Sequence, residues 1–273
     1  MDLSHDGSIV TGFDLVLFGD PVDHSLSPVI QQAGLDAVGL AGTYRAVRVD
    51  EEGFRRGCAD LRAGLWRGAN VTMPHKRLAV EEMDALSNGA ERAGSVNTIV
   101  VEGSRLTGHS TDIDGIQQVW QEAALPYDVP VLVLGAGGAA AAALIAIDAD
   151  EVFVSSRHFE DAARLAAAID IGVRPVPWGT AVAGAVVVNA TPLGMAGDSL
   201  PLDIVEASAG LLDMAYTRRA TPAVLTADRA GVPYATGTDL LLAQATASFT
   251  LWTGRVAPTA QMRDALQKAQ ATA

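Results

Sequence analysis

The chain has one cysteine, Cys58, few basic residues and no long apolar run. A single cysteine excludes an internal disulfide and suits a reducing compartment, so we expect a cytoplasmic protein. Against 32 aspartates and glutamates stand only 19 lysines and arginines, which gives a formal net charge of −13. This balance argues against nucleic acid or an anionic membrane as a partner. An anionic ligand would have to be held by local basic groups.

Signals for membranes, export and metals are also missing from the sequence. No apolar run reaches the roughly 20 residues that a membrane-spanning helix needs. Residues 1–20 lack the basic segment and cleavage site of a secretory signal, and the five histidines have no metal-ligand spacing. The 273 residues, 49% of them hydrophobic, suffice for one large or two medium globular domains.

The most informative segment is residues 131–143, in which four apolar residues lead through Gly-Ala-Gly-Gly-Ala into an alanine-rich run. Gly135 permits a tight turn after a strand, Gly137 allows a pyrophosphate to approach the backbone, and Ala140 lets helix and strand pack closely. Such a turn also occurs in parallel sheets that bind nothing, so the flanking strand and helix are what favour a dinucleotide. The predicted phosphate-binding residues are Gly135, Ala136, Gly137, Gly138 and Ala139.

The next predicted strand ends in Ser155, Ser156 and Arg157, about 20 positions beyond the first glycine. An acidic residue there would bind the ribose 2′-hydroxyl of NAD, whereas an arginine accommodates the 2′-phosphate of NADP. We therefore expect NADP, with the two serines as supporting donors. The alternative is that Arg157 is a solvated charge at a helix start.

Strand and helix patterns alternate on both sides of the glycine turn, which predicts an α/β protein. We predict an N-terminal α/β substrate domain and a Rossmann-type NADP domain with a doubly wound parallel sheet. The boundaries are 1–112 for the first domain, with 238–273 returning to it, and 113–237 for the second. The return of the last helices, residues 239–252 and 259–267, is a point that the sequence alone leaves open. The other predicted strands are 15–18, 43–49, 69–72, 96–101, 105–108, 151–154, 185–188 and 211–214, and the other predicted helices are 28–38, 51–62, 75–86, 115–124 and 161–169.

Delivery of hydride to a carbonyl requires a proton carrier, and a lysine beside a carboxylate can supply it. Lys76 follows a strand end that includes Asn70 and Thr72, and Asn97 and Asp112 stand at two further polar strand ends. Three of these residues also have simple structural interpretations: Lys76 as a surface lysine, Asn97 as a turn residue and Asp112 as a helix N-cap.

At these residues the chain resembles the shikimate dehydrogenase family, over nearly its whole length. The resemblance rests on eight motifs in the family's order: His24 to Pro28, Asn70 to Lys76, Gly94 to Thr98, Ser110 to Asp112, Gly135 to Ala139, Asn189 to Thr191 with Gly194 and Met195, Asp213 to Tyr216 with Thr221 and Pro222, and Gly237 to Gln244.

The resemblance implies a metal-free enzyme that reversibly reduces 3-dehydroshikimate to shikimate with NADP, in aromatic amino-acid biosynthesis. Lys76 and Asp112 would carry the proton. Substrate binding is implied for Ser25, Ser27, Asn70, Thr72, Asn97, Tyr216 and Gln244. Further cofactor contacts are implied for Asn189, Ala190, Thr191, Met214 and Gly237. Ser27 precedes Pro28, so it also has the signature of a helix N-cap and first turn. A monomer or homodimer with a small-molecule substrate is expected.

Three positions depart from the family pattern: Ser110 before Thr-Asp, Pro192 after Asn-Ala-Thr, and the stretch 238–240 near the nicotinamide. There Asp239 would repel an anionic substrate unless it caps the following helix, which we expect. His75, next to Lys76, is expected to face away and to have a minor role. The alternatives to shikimate are quinate or an aminoshikimate analogue, and a protein that binds without turnover.

Overall fold

A computed structural model describes residues 12–169, 172–196, 198–217 and 219–272, and the expectation about a secretory signal in residues 1–20 falls mostly outside them. Within this part of the chain, strands and helices alternate and form two six-stranded sheets. The strands are β1 (Leu15–Gly19), β2 (Tyr44–Arg48), β3 (Gly68–Val71), β4 (Ala85–Leu86), β5 (Thr98–Glu102), β6 (Arg105–His109), β7 (Val131–Leu134), β8 (Val152–Ser155), β9 (Arg174–Val176), β10 (Val186–Asn189), β11 (Gly210–Asp213) and β12 (Tyr234–Ala235). The helices are α1 (Ser27–Ala37), α2 (Glu51–Arg62), α3 (Leu78–Glu82), α4 (Asn88–Ala93), α5 (Thr111–Glu122), α6 (Gly138–Ala146), α7 (Phe159–Ala168), α8 (Leu202–Glu206), α9 (Pro222–Ala230), α10 (Gly237–Thr253) and α11 (Thr259–Thr272). The predicted mixed α/β fold is confirmed.

The first sheet has the strand order β2-β1-β3-β5-β6-β4. Strand β1 pairs in parallel with β2 and β3, and β5 runs antiparallel to β3 and β6. The predicted hairpin is β5 and β6. Because β3, β5 and β6 are adjacent, their polar ends lie near one another, and this places the residues of the acid–base site together.

The predicted helix 75–86 is wrong at its second half. Helix α3 is only five residues long, and Ala85–Leu86 instead form β4, which pairs with β6. Asp84 causes the change: its N–H donates to the Leu106 carbonyl and its carboxylate accepts the Leu106 N–H. These long-range backbone bonds override the local helical pattern. The sequence reading also missed α4, β9, α8, α9 and β12.

The second sheet is parallel, with the order β12-β11-β10-β7-β8-β9. The chain goes from β7 outward to β9, then crosses back to β10 beside β7. This reversal is the switch point at which open parallel sheets bind ligands, outside the carboxyl ends of their strands. The glycine turn after β7 lies at that point.

Helices α10 and α11 pack back against the first half of the chain. Helix α10 contacts α5 and α1, and α11 contacts α1. Their buried side chains share a core with those of β1 and α1; the shared residues include Leu15, Ile30, Phe249, Trp252 and Met262. The last two helices therefore pack against elements of the N-terminal part of the chain. Helix α5 contacts both α10 and α6, so it joins the two halves.

Candidate active site

Lys76 and Asp112 form the centre of the site. Lys76 lies in the turn after β3, and Asp112 is the second residue of α5. The lysine Nζ donates to Oδ2 of Asp112 over 2.7 Å. The Asp112 side chain is 2% exposed and that of Lys76 is 20% exposed. The lysine is therefore the member of the pair that a ligand can reach.

Asp112 is not the N-cap of its helix, so that alternative is wrong. Ser110 occupies the cap position, and no side chain among the described residues caps this helix. The Asp112 carboxylate instead faces Lys76 and Asn97. A carboxylate in the first helical turn is also stabilised by the helix dipole.

Asn97 holds the second oxygen of this carboxylate. Its Nδ2 donates to Oδ1 of Asp112 over 2.9 Å, and its own Oδ1 accepts the backbone N–H of Thr111 over 2.8 Å. The Thr111 N–H is an obligatory donor, so it fixes which end of the Asn97 amide faces Asp112. Only one N–H of Asn97 remains for a substrate hydroxyl, and its first role is to orient the acid.

The Asn70 side chain makes more hydrogen bonds within the protein than its predicted role in substrate binding requires. Its Oδ1 accepts the hydroxyl of Tyr44 over 2.7 Å, and its Nδ2 lies 3.0 Å from both the Asn97 carbonyl and Thr98 Oγ1. Both amide hydrogens are thus used within the protein, and Asn70 can only accept from a substrate. Burial raises the pKa of Tyr44 well above its usual value, so the phenol stays a donor. Sequence reasoning missed Tyr44, because no motif marks it.

The hydroxyls predicted to bind the substrate carboxylate come from both halves of the chain. Ser25 precedes α1 and Tyr216 follows β11, and a hydrogen bond between them opposes the rise in the Tyr216 pKa that burial causes. Ser27 is the first residue of α1 while Leu26 holds the cap position, so the expected first-turn place is confirmed and the N-cap place is wrong. Its hydroxyl instead contacts Tyr44.

Thr72 and Gln244 complete the predicted substrate set. Thr72 is half-buried just after β3, where its backbone bonds to Phe18 and His75. Gln244 is half-buried on α10 against α5: a Cβ added to Gly115 would lie 2.9 Å from its Cγ. The adjacent helix α5 carries Asp112.

His75 is buried and faces away from Lys76. Its ring stacks on Phe54 at 5.3 Å between centroids, and its Nε2 lies 2.8 Å from the Val49 carbonyl. These contacts give it a structural role.

The glycine turn has the geometry that a pyrophosphate needs. Gly135 has φ +124°, and an added Cβ would lie 2.7 Å from the Ala190 carbonyl oxygen, so only glycine fits. Gly137 is exposed and has open space where a Cβ would stand. Gly138 begins α6, and no described side chain caps its N-terminus, so its first N–H groups are free for phosphate oxygens. Ala136 and Ala139 are half-buried in the same turn.

The loop after β10 approaches this turn but uses Asn189 as a support. Its Nδ2 donates to the Leu193 carbonyl and to Asp213, and its Oδ1 accepts from the N–H and hydroxyl of Thr191. With its bonds made internally and no exposed surface, the Asn189 side chain supports the loop, and its contact with the cofactor stays a prediction. Ala190 and Thr191 remain partly exposed.

Met214 and Gly237 lie where β11 meets the start of α10. A Cβ on Gly237 would lie 2.8 Å from the Met214 carbonyl oxygen and 2.6 Å from that of Ala215, so the two segments touch through backbone. Met214 is half-buried beside them.

At the end of β8, the two serines and Arg157 differ in access. Ser155 is fully buried and its hydroxyl donates to the Pro177 carbonyl, so in this structure its proton is not directed at a ligand, and its contact with a 2′-phosphate stays a prediction. Ser156 is half-buried and Arg157 is exposed. Within the described residues Arg157 makes no ion pair, whereas Asp161 in the next helical turn pairs with Arg164. Arg157 is thus available for an anionic ligand.

The described part of the chain has neither a metal-binding cluster nor a membrane-spanning helix. Residues 12–169, 172–196, 198–217 and 219–272 contain no cluster of His, Cys, Asp or Glu that would hold a metal ion. None of the helices in those ranges is both long and apolar enough to cross a membrane.

Family models, curated relatives and solved structures identify the family. Residues 17–99 match the model of the shikimate dehydrogenase substrate binding domain, and residues 237–267 match that of the shikimate 5′-dehydrogenase C-terminal domain. Shikimate dehydrogenase (NADP(+)) of Citrifermentans bemidjiense is 37% identical, with 92% of this chain and 93% of that protein covered. The enzyme of one Thermus thermophilus strain is 34% identical, with 93% and 97% covered. The crystal structure of a Thermus thermophilus shikimate 5-dehydrogenase with NADP(H) and shikimate superposes with a TM-score of 0.86 at 33% identity, over 94% of this chain and 99% of that one. The chain belongs to the shikimate dehydrogenase family.

Proposed function

We propose that this protein catalyses the reversible NADP-dependent reduction of 3-dehydroshikimate to shikimate, a step of aromatic amino-acid biosynthesis. The observation that carries the proposal is the Lys76–Asp112 pair, 2.7 Å apart and supported by Asn97, in a chain whose second sheet has a dinucleotide turn. Its relatives bear the name shikimate dehydrogenase (NADP(+)). A protein that only binds these ligands would have no need of the pair.

The chain's own residues fit the cofactor. The open backbone at Gly137 and the uncapped start of α6 suit a pyrophosphate, and the exposed Arg157 suits a 2′-phosphate. Gly135, Ala136, Gly138 and Ala139 would complete the turn around the phosphates, with Ala190, Thr191, Met214 and Gly237 at the adjoining loops. When bound, the nicotinamide supplies or takes up the hydride.

Transfer of the proton to or from the reacting oxygen is carried out by residues of the protein. In the reducing direction a proton is added to the carbonyl oxygen, and in the oxidising direction it leaves the hydroxyl. We assign the transfer to Lys76, because its amine is the exposed member of the pair, and we assign the holding of that amine to Asp112. Asn97 keeps the Asp112 carboxylate in register.

The remaining polar groups would bind the acid and the ring. Ser25, Ser27 and Tyr216 offer hydroxyl donors for the substrate carboxylate. Thr72, Asn97 and Gln244 offer bonds to ring hydroxyls, and Asn70 offers an acceptor. Residues 1–112 with 238–273 would form the substrate domain, and 113–237 the cofactor domain. The acidic net charge and the single Cys58 support a cytoplasmic enzyme without a nucleic-acid partner, as a monomer or homodimer.

One set of rates tests the proposal: kcat/KM for shikimate and for quinate, each with NADP and with NAD. We expect shikimate with NADP to be the best pair by far, because quinate carries a tertiary alcohol beside the hydroxyls of Ser25 and Ser27. Equal values for the two acids would move the protein to a quinate and shikimate dehydrogenase. Absence of turnover with every pair would refute the proposal.

A further inference from the structure

The acid–base site is backed by three buried hydroxyls, on Thr98, Thr111 and Ser248, which we call the hydroxyl triangle. Their oxygens lie 2.9 Å (Thr98 to Ser248), 3.1 Å (Thr111 to Ser248) and 3.1 Å (Thr98 to Thr111) apart. Each residue is at most 1% exposed. Ser248 is separated from the other two by more than 130 positions. It is therefore the long-range member of the triangle.

The proton of Ser248 can be assigned from its surroundings. The Ser248 hydroxyl donates to the Gln244 carbonyl, one turn earlier in α10, over 2.9 Å. Its oxygen can then only accept, and three donor groups lie around its two lone pairs: the hydroxyls of Thr98 and Thr111, and Asn70 Nδ2 at 3.2 Å. A hydroxyl has one proton and two lone pairs, so Ser248 is saturated. It has no remaining capacity for a substrate.

The triangle leads directly to the catalytic acid. Thr111 precedes Asp112 in the first turn of α5, and its N–H and hydroxyl both reach Asn97 Oδ1. Asn97 in turn donates to the Asp112 carboxylate. A displacement of Ser248 would thus loosen Thr111 and Asn97, the two residues that fix the acid. Such loosening would lower the rate, since a misplacement of a catalytic group by about 1 Å can reduce a rate by about 100-fold.

We propose that Ser248 is a positioning residue for the reaction, which ties α10 to the start of α5 and so fixes Asp112 against Lys76. The inference rests on the proposed function and deepens it. Ser248 touches neither of the two catalytic side chains, so its effect passes through Thr111 and Asn97.

The test compares two alanine variants in one helix. Thr250 makes the same hydroxyl bond to the carbonyl four residues back, but it is exposed and lies outside the triangle. In shikimate oxidation with NADP we expect Ser248→Ala to lower kcat about tenfold with KM changed less than about twofold. We expect Thr250→Ala to leave both constants unchanged. If the alanine variant does not fold, Ser248→Cys fills a similar volume with a weaker hydrogen-bonding group and carries the same expectation.

A double-mutant cycle separates positioning from general stability. In the Asp112→Asn background, Ser248→Ala should change kcat by less than about twofold, because the group that it positions is gone. A tenfold loss in both backgrounds would show a merely structural role and overturn the inference. Wild-type rates in Ser248→Ala would also overturn it while leaving the proposed function intact. An inactive wild type would refute both.

Discussion

Removal of either member of the Lys76–Asp112 pair should abolish most of the activity without abolishing the fold. Lys76→Ala takes away the exposed amine and leaves a buried carboxylate with Asn97 as its remaining partner. Asp112→Asn keeps the shape but replaces an acceptor by a donor. In one amide orientation that donor faces Asn97 Nδ2, and in the other it faces the Lys76 ammonium. One donor–donor contact therefore results in either case.

The size of each loss follows from these contacts. General acid–base catalysis contributes about 100- to 10,000-fold, which corresponds to about 2.7–5.4 kcal/mol in the barrier. For stability, a lost partner of a buried ion pair costs roughly 3–5 kcal/mol, and the partial exposure of Lys76 places Lys76→Ala at the lower end. The donor–donor contact in Asp112→Asn costs about 1–3 kcal/mol. Each stability loss is smaller than the stability of a typical domain.

The assay is shikimate oxidation with NADP, followed for the two single variants and the double variant, with urea unfolding of each as the fold control. We expect kcat to fall by the stated factor in each single variant, with KM changed far less. Because the two groups act as one unit, the double variant should be about as slow as the slower single variant. A double variant that loses the product of both factors, or a Lys76→Ala enzyme with near wild-type kcat, would refute the pair as the proton carrier.

Two further predictions concern single residues. Arg157→Ala should weaken the affinity for NADP by about 10- to 150-fold. We expect a value near the lower end, because the arginine is exposed and the Ser155 hydroxyl donates to Pro177. The affinity for NAD should change little; kcat/KM for both cofactors at fixed salt is the measurement, and an unchanged NADP preference would show that Arg157 is only a surface charge. Burial, with a smaller contribution from the charge of Glu82, raises the pKa of Cys58 to about 12. The native protein should therefore not react with a thiol reagent at pH 8, whereas the unfolded protein should give one thiol; rapid stoichiometric labelling of the native protein would contradict this.

Much of the fold was predictable because the signals are local. The buried run before Gly135, the glycine turn and the alanine-rich helix follow directly in sequence, and each is found where it was predicted. The failure at residues 83–86 has a different origin. Asp84 binds the backbone of Leu106, and a helical pattern read over a short window contains no information on a partner 22 positions away. Short elements such as β12 were missed for the same reason, since two residues carry no periodicity.

In the site, the sequence predicted which residues gather but less well what each does. The motifs identified Asn70, Asn97 and Asn189 as ligand-binding candidates. In the structure most or all of their hydrogen bonds are made within the protein. Asn70 bonds to Tyr44, Asn97 to Asp112 and Asn189 to Thr191. A motif indicates that an amide is required at a position, but only the structure shows which groups it hydrogen-bonds. Tyr44 and Ser248 carry no motif at all, and their contacts join segments that are distant in sequence.

The departure at Asp239 shows how a substitution near a ligand site can be absorbed locally. Its carboxylate accepts both the N–H and the hydroxyl of Thr236, while its own N–H donates to Thr236 Oγ1, so the two residues form a capping box at the start of α10. The N-cap is Thr236, and Asp239 takes part in the capping as the third helical residue, so the expectation that Asp239 caps the helix holds only in this reciprocal form. Two hydrogen bonds and the helix dipole hold the charge, which reduces its repulsion of an anionic ligand. The same helix carries Gln244 and Ser248, so the acid that departs from the family pattern fixes the start of the helix on which the proposed substrate contact and the hydroxyl triangle depend.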